Sequence, residues 1–205
     1  MAGARKGWNG LVREDRFSAS NQSLSLRNDE LSLSLPALDR SPTERHKETD
    51  DMPKIDKAAA PRGSGTRYPA PFDAPCKART WLRLGEAAGL TQFGVNLVRL
   101  PPGTWSSQRH WHSHEDEFVQ VLEGELVLVT EGREETMQAG DSAGFKAGVQ
   151  DGHCFQNRSS CDAVILVVGT RSDEDHGEYS DIDMAFGAGR YAGKGSYRHK
   201  DGTPY

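Results

Sequence analysis

Three imidazoles fall within five positions of the stretch "RHWHSHEDEFVQVLEGE", residues 109–125. They are His110, His112 and His114, in a chain that holds seven histidines altogether. Glu115, Asp116 and Glu117 follow directly, and then an apolar run begins. Imidazole nitrogens and carboxylate oxygens are electron-pair donors suited to first-row divalent ions. Side chains alternate faces along an extended strand, so His110 and His112 point the same way, about 7 Å apart along the backbone. That spacing lets both rings converge on one ion, while Trp111 points to the opposite face. After the polar turn "SHED", Glu117 shares a face with Val119 and Val121. A carboxylate on the inner face of a barrel needs a cation or an arginine beside it, because an unpaired buried charge is costly. His153 follows a glycine-rich approach on a later strand and could supply a fourth ligand. Three imidazoles and one carboxylate suit iron(II), manganese(II), nickel(II), cobalt(II) or zinc(II). His112 with His114 has the same parity as His110 with His112, so spacing alone leaves both pairings open.

The elements that must position these groups are short. "WLRLGEAAGL" suits one or two helical turns. "FGVNLVRL" (93–100), "EFVQVL" (117–122), "ELVLVT" (125–130), "HCFQN" (153–157) and "DAVILVVGT" (162–170) read as strands separated by turn signals. Gly124 permits a tight reversal or bulge between two of them. Regularly spaced short strands with no long helix predict an antiparallel all-β sandwich or barrel.

The run from Gly103 through His110, His112 and Glu117 to Gly124 resembles the first signature of the cupin superfamily, G-x5-H-x-H-x(3,4)-E-x6-G. The interval from Gly103 to His110 is one residue longer than the family form. "GDSAGFKAGVQDGHCFQN" is similar to the second signature, G-x5-P-x-G-x2-H-x3-N, with Gly140, Gly148, His153 and Asn157 at its positions. Lys146 stands where that signature has proline, and four residues rather than two separate Gly148 from His153. The resemblance covers about residues 93–170. It implies a jelly-roll β-barrel (double-stranded β-helix) with one divalent ion held by His110, His112, Glu117 and His153. It also selects His110 and His112 as the pair, which leaves His114 in a loop at the entrance. The flanks "YSDIDM" and "HKDGTPY" also resemble those of small single-domain bacterial cupins.

Around the barrel the texture changes. Residues 1–66 are rich in Ser, charged residues and Pro, and hold no aromatic residue between Phe17 and Tyr68. Such a stretch cannot bury enough surface to offset its ordering entropy, so we expect a disordered N-terminal extension. Met52 opens "MPKIDKAAAPRGSGTRYPAPFDAPC" and reads as a natural start, which would make residues 1–51 an upstream piece from a misassigned start codon. A transit peptide is the rival reading, against which the acidic Glu14, Asp15, Asp29 and Glu30 count. The barrel is expected over 67–171 and an irregular tail over 172–205. The acidic run "RSDEDHGEYSD" reads as a solvated face, Cys154 as wall filler, and Trp105 and Trp111 as wall or interface residues.

Bulk properties narrow the function. The formal net charge of -5 argues against a nucleic-acid partner. Mean hydropathy is -0.70, and no apolar run reaches the length of a membrane span. Cys76, Cys154 and Cys161 form neither a disulfide framework nor a zinc knuckle, which suits reduced thiols in a cytoplasm. The expected partner is a small molecule: an organic acid, a sugar or a phenolic. The chain reads as a metal-dependent dioxygenase, isomerase, decarboxylase or lyase, or as a non-catalytic sensor barrel with an anchoring metal. Arg109 and Gln120 are candidates for orienting an anionic substrate. A homodimer is expected, with the arm around 67–82 or the C-terminal tail crossing over to cover barrel edges.

Overall fold

The computed structural model describes residues 54–193 and 196–205. The reading of residues 1–51 lies outside the described residues. Twelve strands follow in chain order: β1 (Arg62–Ser64), β2 (Thr80–Arg83), β3 (Phe93–Leu100), β4 (Glu117–Glu123), β5 (Glu125–Thr130), β6 (Arg133–Gln138), β7 (Ser142–Phe145), β8 (Cys154–Gln156), β9 (Ala163–Thr170), β10 (Gly177–Tyr179), β11 (Met184–Phe186) and β12 (Tyr197–Arg198). One helical turn, Leu84–Ala87, follows β2.

The strands form three sheets of order β1-β2-β3-β9-β4-β7, β6-β5-β8 and β10-β11-β12, and every pairing is antiparallel. The alternation read from the sequence sets the layers. Leu100, Val119, Val121, Ala163 and Ile165 point inward from the six-stranded sheet. They pack against Leu126, Leu128, Met137 and Phe155 of the β6-β5-β8 sheet. Each such side chain, when fully buried, contributes about 1.5–3 kcal/mol, so this apolar layer fixes which face of β4 looks inward. Glu117 shares that face.

A second cluster closes one end. Tyr68 and Cys76 from the arm meet Tyr179, Met184 and Phe186 from the C-terminal segment, with Trp105 packed against them. Arm and C-terminal segment therefore pack on one another at this end. The structure differs from the sequence reading at both flanks. Arg62–Ser64, placed in the extension, add an edge strand to β2. The stretch read as an irregular tail contains β10, β11 and β12, because its alternating Tyr179, Met184 and Phe186 have an apolar cluster to enter.

Among the described residues the regular structure is mostly β, and the ladders do not close into a continuous barrel. Residues 105–110 make isolated bridges instead: Trp105 to Gln156, and His110 to both His153 and Tyr179. Their ring-bearing side chains and polar neighbours give this segment no regular apolar alternation to hold a longer ladder.

Gly124 makes the β4–β5 reversal with φ +77. A Cβ there would lie 2.6 Å from the Asp162 carbonyl oxygen and 2.9 Å from Ala163 Cα. Both are backbone atoms that cannot swing aside. Gly124→Ala is expected to cost about 2–4 kcal/mol through left-handed strain plus overpacking, read as a drop in the urea unfolding midpoint. A midpoint within error of the parent chain would contradict this account.

Candidate metal centre

The histidine segment runs between two other segments. On one side His110 exchanges backbone hydrogen bonds with His153, at 3.2 and 2.9 Å. On the other, Trp111 N–H donates to the Glu178 carbonyl and Ser113 N–H to the His176 carbonyl. Gly177 allows this approach, because a Cβ there would collide with the Trp111 carbonyl. β4 then brings Glu117 beneath the rings.

The ligand atoms of His110, His112 and Glu117 all lie within 4.8 Å of one another. His110 Nε2 is 3.1 Å from His112 Nε2, and the latter is 3.7 Å from Glu117 Oε2. His153 Nε2 is 3.3 Å from the same carboxylate oxygen, although it is not in the group held within 4.8 Å. The His153 ring stacks on Phe145 at 3.5 Å, and its buried Nδ1 has no hydrogen-bond partner. His114 is exposed and turns to Ser113 and His176. The structure thus brings together the pair His110 and His112 and leaves His114 outside.

Two contacts set the tautomers. His110 Nδ1 lies 3.0 Å from the Gln108 carbonyl, which can only accept. His112 Nδ1 lies 2.7 Å from Asp175 Oδ2, a buried carboxylate. Donation outward from both Nδ1 atoms leaves both Nε2 atoms as lone-pair bearers facing each other beside Glu117. Three acceptors with no proton between them are a donor set that a divalent cation fits.

Asp175 was read from the sequence as part of a solvated acidic face, and the structure corrects this. It is 1% exposed and accepts from His112 and the His114 backbone N–H, while Arg190 sits 3.3 Å away. Burial pushes its carboxyl up, but the bond from His112 and the His114 N–H overcome this and hold it below the usual aspartate range. Glu115 is also buried, bound by Arg190, by the Tyr191 hydroxyl and by the Ser172 N–H. The only sequence signal for these partners was acid density near the histidines, and that does not tell a buried carboxylate from a solvated one.

Arg109 and Gln120 do not take the substrate-orienting roles read for them. Arg109 is spent on Asp181, at 2.6 and 2.9 Å, and on Glu131 at 2.9 Å. Gln120 follows Val119 on β4 and so points away from the face that carries Glu117. The groups that line a cavity of about 370 Å³ beside the rings are others. They include Trp111, His112, Glu115, Arg133, Lys146 and His153.

The chain is similar to known proteins. A family model described as "Cupin domain" matches residues 96–169. A solved structure described as a sugar phosphate isomerase from a cupin superfamily, from Silicibacter pomeroyi, is 48% identical, with a TM-score of 0.71, over 75% of this chain and 96% of that one. The chain belongs to the cupin superfamily. A second solved structure similar to this cupin, a putative sugar phosphate isomerase from Acidithiobacillus ferrooxidans, is 28% identical with a TM-score of 0.57. It covers 62% of this chain and 80% of that one. No curated protein matches this cupin. Among its described residues no helix is long and apolar enough to cross a membrane.

The site makes the metal-free cupin pH-sensitive in two windows. Burial and the neighbouring charges of His112 and His153 push His110 well below the ordinary 6.5. The unfolded chain then binds that proton first, so stability falls as pH drops through 6.5, at up to about 1.4 kcal/mol per unit per proton. Glu117 acts lower down. Burial pushes it up, but the hydrogen bond from His153 and the three imidazole charges bring it to about 2. Its contribution is present above about 4.5 and is lost as pH falls toward 2. In chelator, the melting temperature is expected to fall between pH 7.5 and 5.5, with a shallower slope in His110→Asn. Equal slopes in the two chains would refute the assignment.

Proposed function

We propose that this cupin binds one first-row divalent ion through His110, His112, Glu117 and His153 and isomerises a small phosphorylated sugar. The observation that carries the reading is the convergence of lone pairs from His110, His112 and Glu117 beside a cavity that His112 and His153 themselves line. Four protein ligands leave two positions on an octahedral ion, enough for a carbonyl and its neighbouring hydroxyl. The bound ion would supply Lewis acidity, polarising that pair. The chain's part is to fix the donors: Gln108 and Asp175 hold two imidazoles in their ligating tautomers, and Phe145 holds the third ring by stacking. The likeness to two proteins described as sugar phosphate isomerases supports the substrate class.

A non-catalytic barrel with an anchoring metal is the second reading, and one observation favours it. The carboxylates that line the cavity are already engaged: Glu115 by Arg190, Glu135 by Arg133, and Asp151 by the Glu131 N–H. None stands unpaired as a ready general base.

One experiment separates these readings. Elemental analysis of untagged protein should give close to one equivalent of a transition metal, falling steeply in His112→Ala and Glu117→Gln. Metal at a hundredfold excess over Kd should stabilise the chain by about 2.7 kcal/mol, and chelation should reverse this. Less than a tenth of an equivalent in the parent chain would end both metal readings. Turnover of sugar phosphates by the loaded chain, lost in Glu117→Gln, supports the isomerase. Binding without turnover supports the anchored binder.

The homodimer is likewise a proposal. Phe93, Phe118 and Leu122 lie exposed on strands of the six-stranded sheet, on β3 and β4, where a second copy would cover apolar surface. Light scattering is expected to give twice the chain mass, and a single mass would remove the dimer.

A further inference from the structure

We infer that Lys146 is the anion anchor of the cavity and binds the phosphate of the substrate, an assignment that rests on the sugar-phosphate reading above. The inference comes from asking which charges beside the rings are still unspent. Arg133 lines the cavity but pairs with Glu135 at 2.5 Å. Arg190, behind the wall, is held by Glu115 and by Asp175. Arg109 is held by Asp181 and Glu131. The acids are engaged as well. Among the described residues that line the cavity, Lys146 is the one cation whose side chain has no hydrogen bond and no ion pair.

Its placement is fixed even though its side chain is free. Phe145, the preceding residue, pairs with Glu117 in the sheet and stacks face to face on His153. The next two residues are tied down on the other side. Ala147 N–H donates to Asp116 Oδ1 at 2.8 Å, and Gly148 N–H donates to the His112 carbonyl at 2.8 Å. Lys146 is thus carried on a short loop whose anchors are the metal-centre residues themselves or their immediate neighbours. The lysine backbone is set relative to the imidazoles before any ligand arrives, which limits the ordering cost of using it.

The chemistry suits a phosphate at the end of a small flexible molecule. A lysine ammonium is a compact point charge on a long stem, able to follow a phosphate without demanding the planar two-pronged geometry of arginine. Leu128, Ala143, Phe145 and Val149 add apolar surface to the same cavity lining. At about 370 Å³ the cavity lies in the range of small-molecule sites. Lys146 also occupies the position that the second cupin signature gives to proline. A proline would stiffen the loop and carry no charge. This chain holds its loop by hydrogen bonds instead, which leaves the position open to a cation.

The test uses the full chain loaded with manganese(II), titrated calorimetrically with ribose 5-phosphate and glucose 6-phosphate and with the parent sugars ribose and glucose. The parent chain is expected to prefer the phosphorylated form of at least one sugar. Lys146→Met should weaken binding of that form roughly tenfold to a hundredfold and leave binding of the parent sugar unchanged. Lys146→Arg should recover most of the loss, and added salt should weaken the parent chain more than Lys146→Met. Equal weakening of phosphorylated and plain sugar in Lys146→Met would mean that the residue only shapes the loop, and this assignment would fall. Unaltered binding in Lys146→Met would overturn it while leaving the sugar-phosphate reading intact. Failure of the loaded parent chain to bind either sugar phosphate would overturn that reading, and the anchor with it.

Discussion

His110 and His112 meet nitrogen to nitrogen at 3.1 Å, with both ring protons directed elsewhere. Two lone pairs at that range beside a carboxylate repel one another unless something positive lies between them. The surrounding structure holds them there regardless. The Gln108 carbonyl fixes one ring and Asp175 the other. The segment that carries them is pinned on one side to His153 and on the other to residues 176–180. Isolated bridges replace regular ladders along it, so the sheets stay open where the donors converge.

The C-terminal segment is therefore part of the centre. Asp175 lies 63 residues from His112 in sequence and 2.7 Å from it in space. A buried carboxylate of this kind is tolerated because it accepts from His112 and a backbone N–H and has Arg190 beside it. Arg190 also serves Glu115, so one guanidinium neutralises two acids, Asp175 and the cavity-lining Glu115. Met184 and Phe186 enter an apolar cluster with Tyr68 and Cys76, and that packing holds the segment against the barrel. Packing at one end and charge pairing beside the rings thus act on the same stretch of chain.

The isomerisation proposed above asks two things of the cavity: a Lewis-acidic end and an anion-binding end. The convergent donors of His110, His112 and Glu117 suit the first. The second depends on how the charges are allotted. The arginines named near the cavity, Arg109, Arg133 and Arg190, are paired with acids of the scaffold, and the second role therefore falls, in the proposal above, to Lys146. That division separates residues that build the wall from residues that face the solute.

The sequence by itself determined the strand alternation, the inward face of β4 and the family, because a period of two and the fixed spacing of His110, His112, Glu117 and Gly124 are local properties of the chain. It also brought forward His153, whose place follows from the second signature. It could not determine that Asp175 and Glu115 are buried, that Arg109 is bound to Asp181 and Glu131, or that Gln120 points away from Glu117. It read the tail as irregular because β10, β11 and β12 are two or three residues each, too short for a periodic signal. Only the tertiary structure decided those points. Burial and pairing of charge depend on contacts between residues far apart along the chain, and a carboxylate reads the same in sequence whether water or an imidazole meets it.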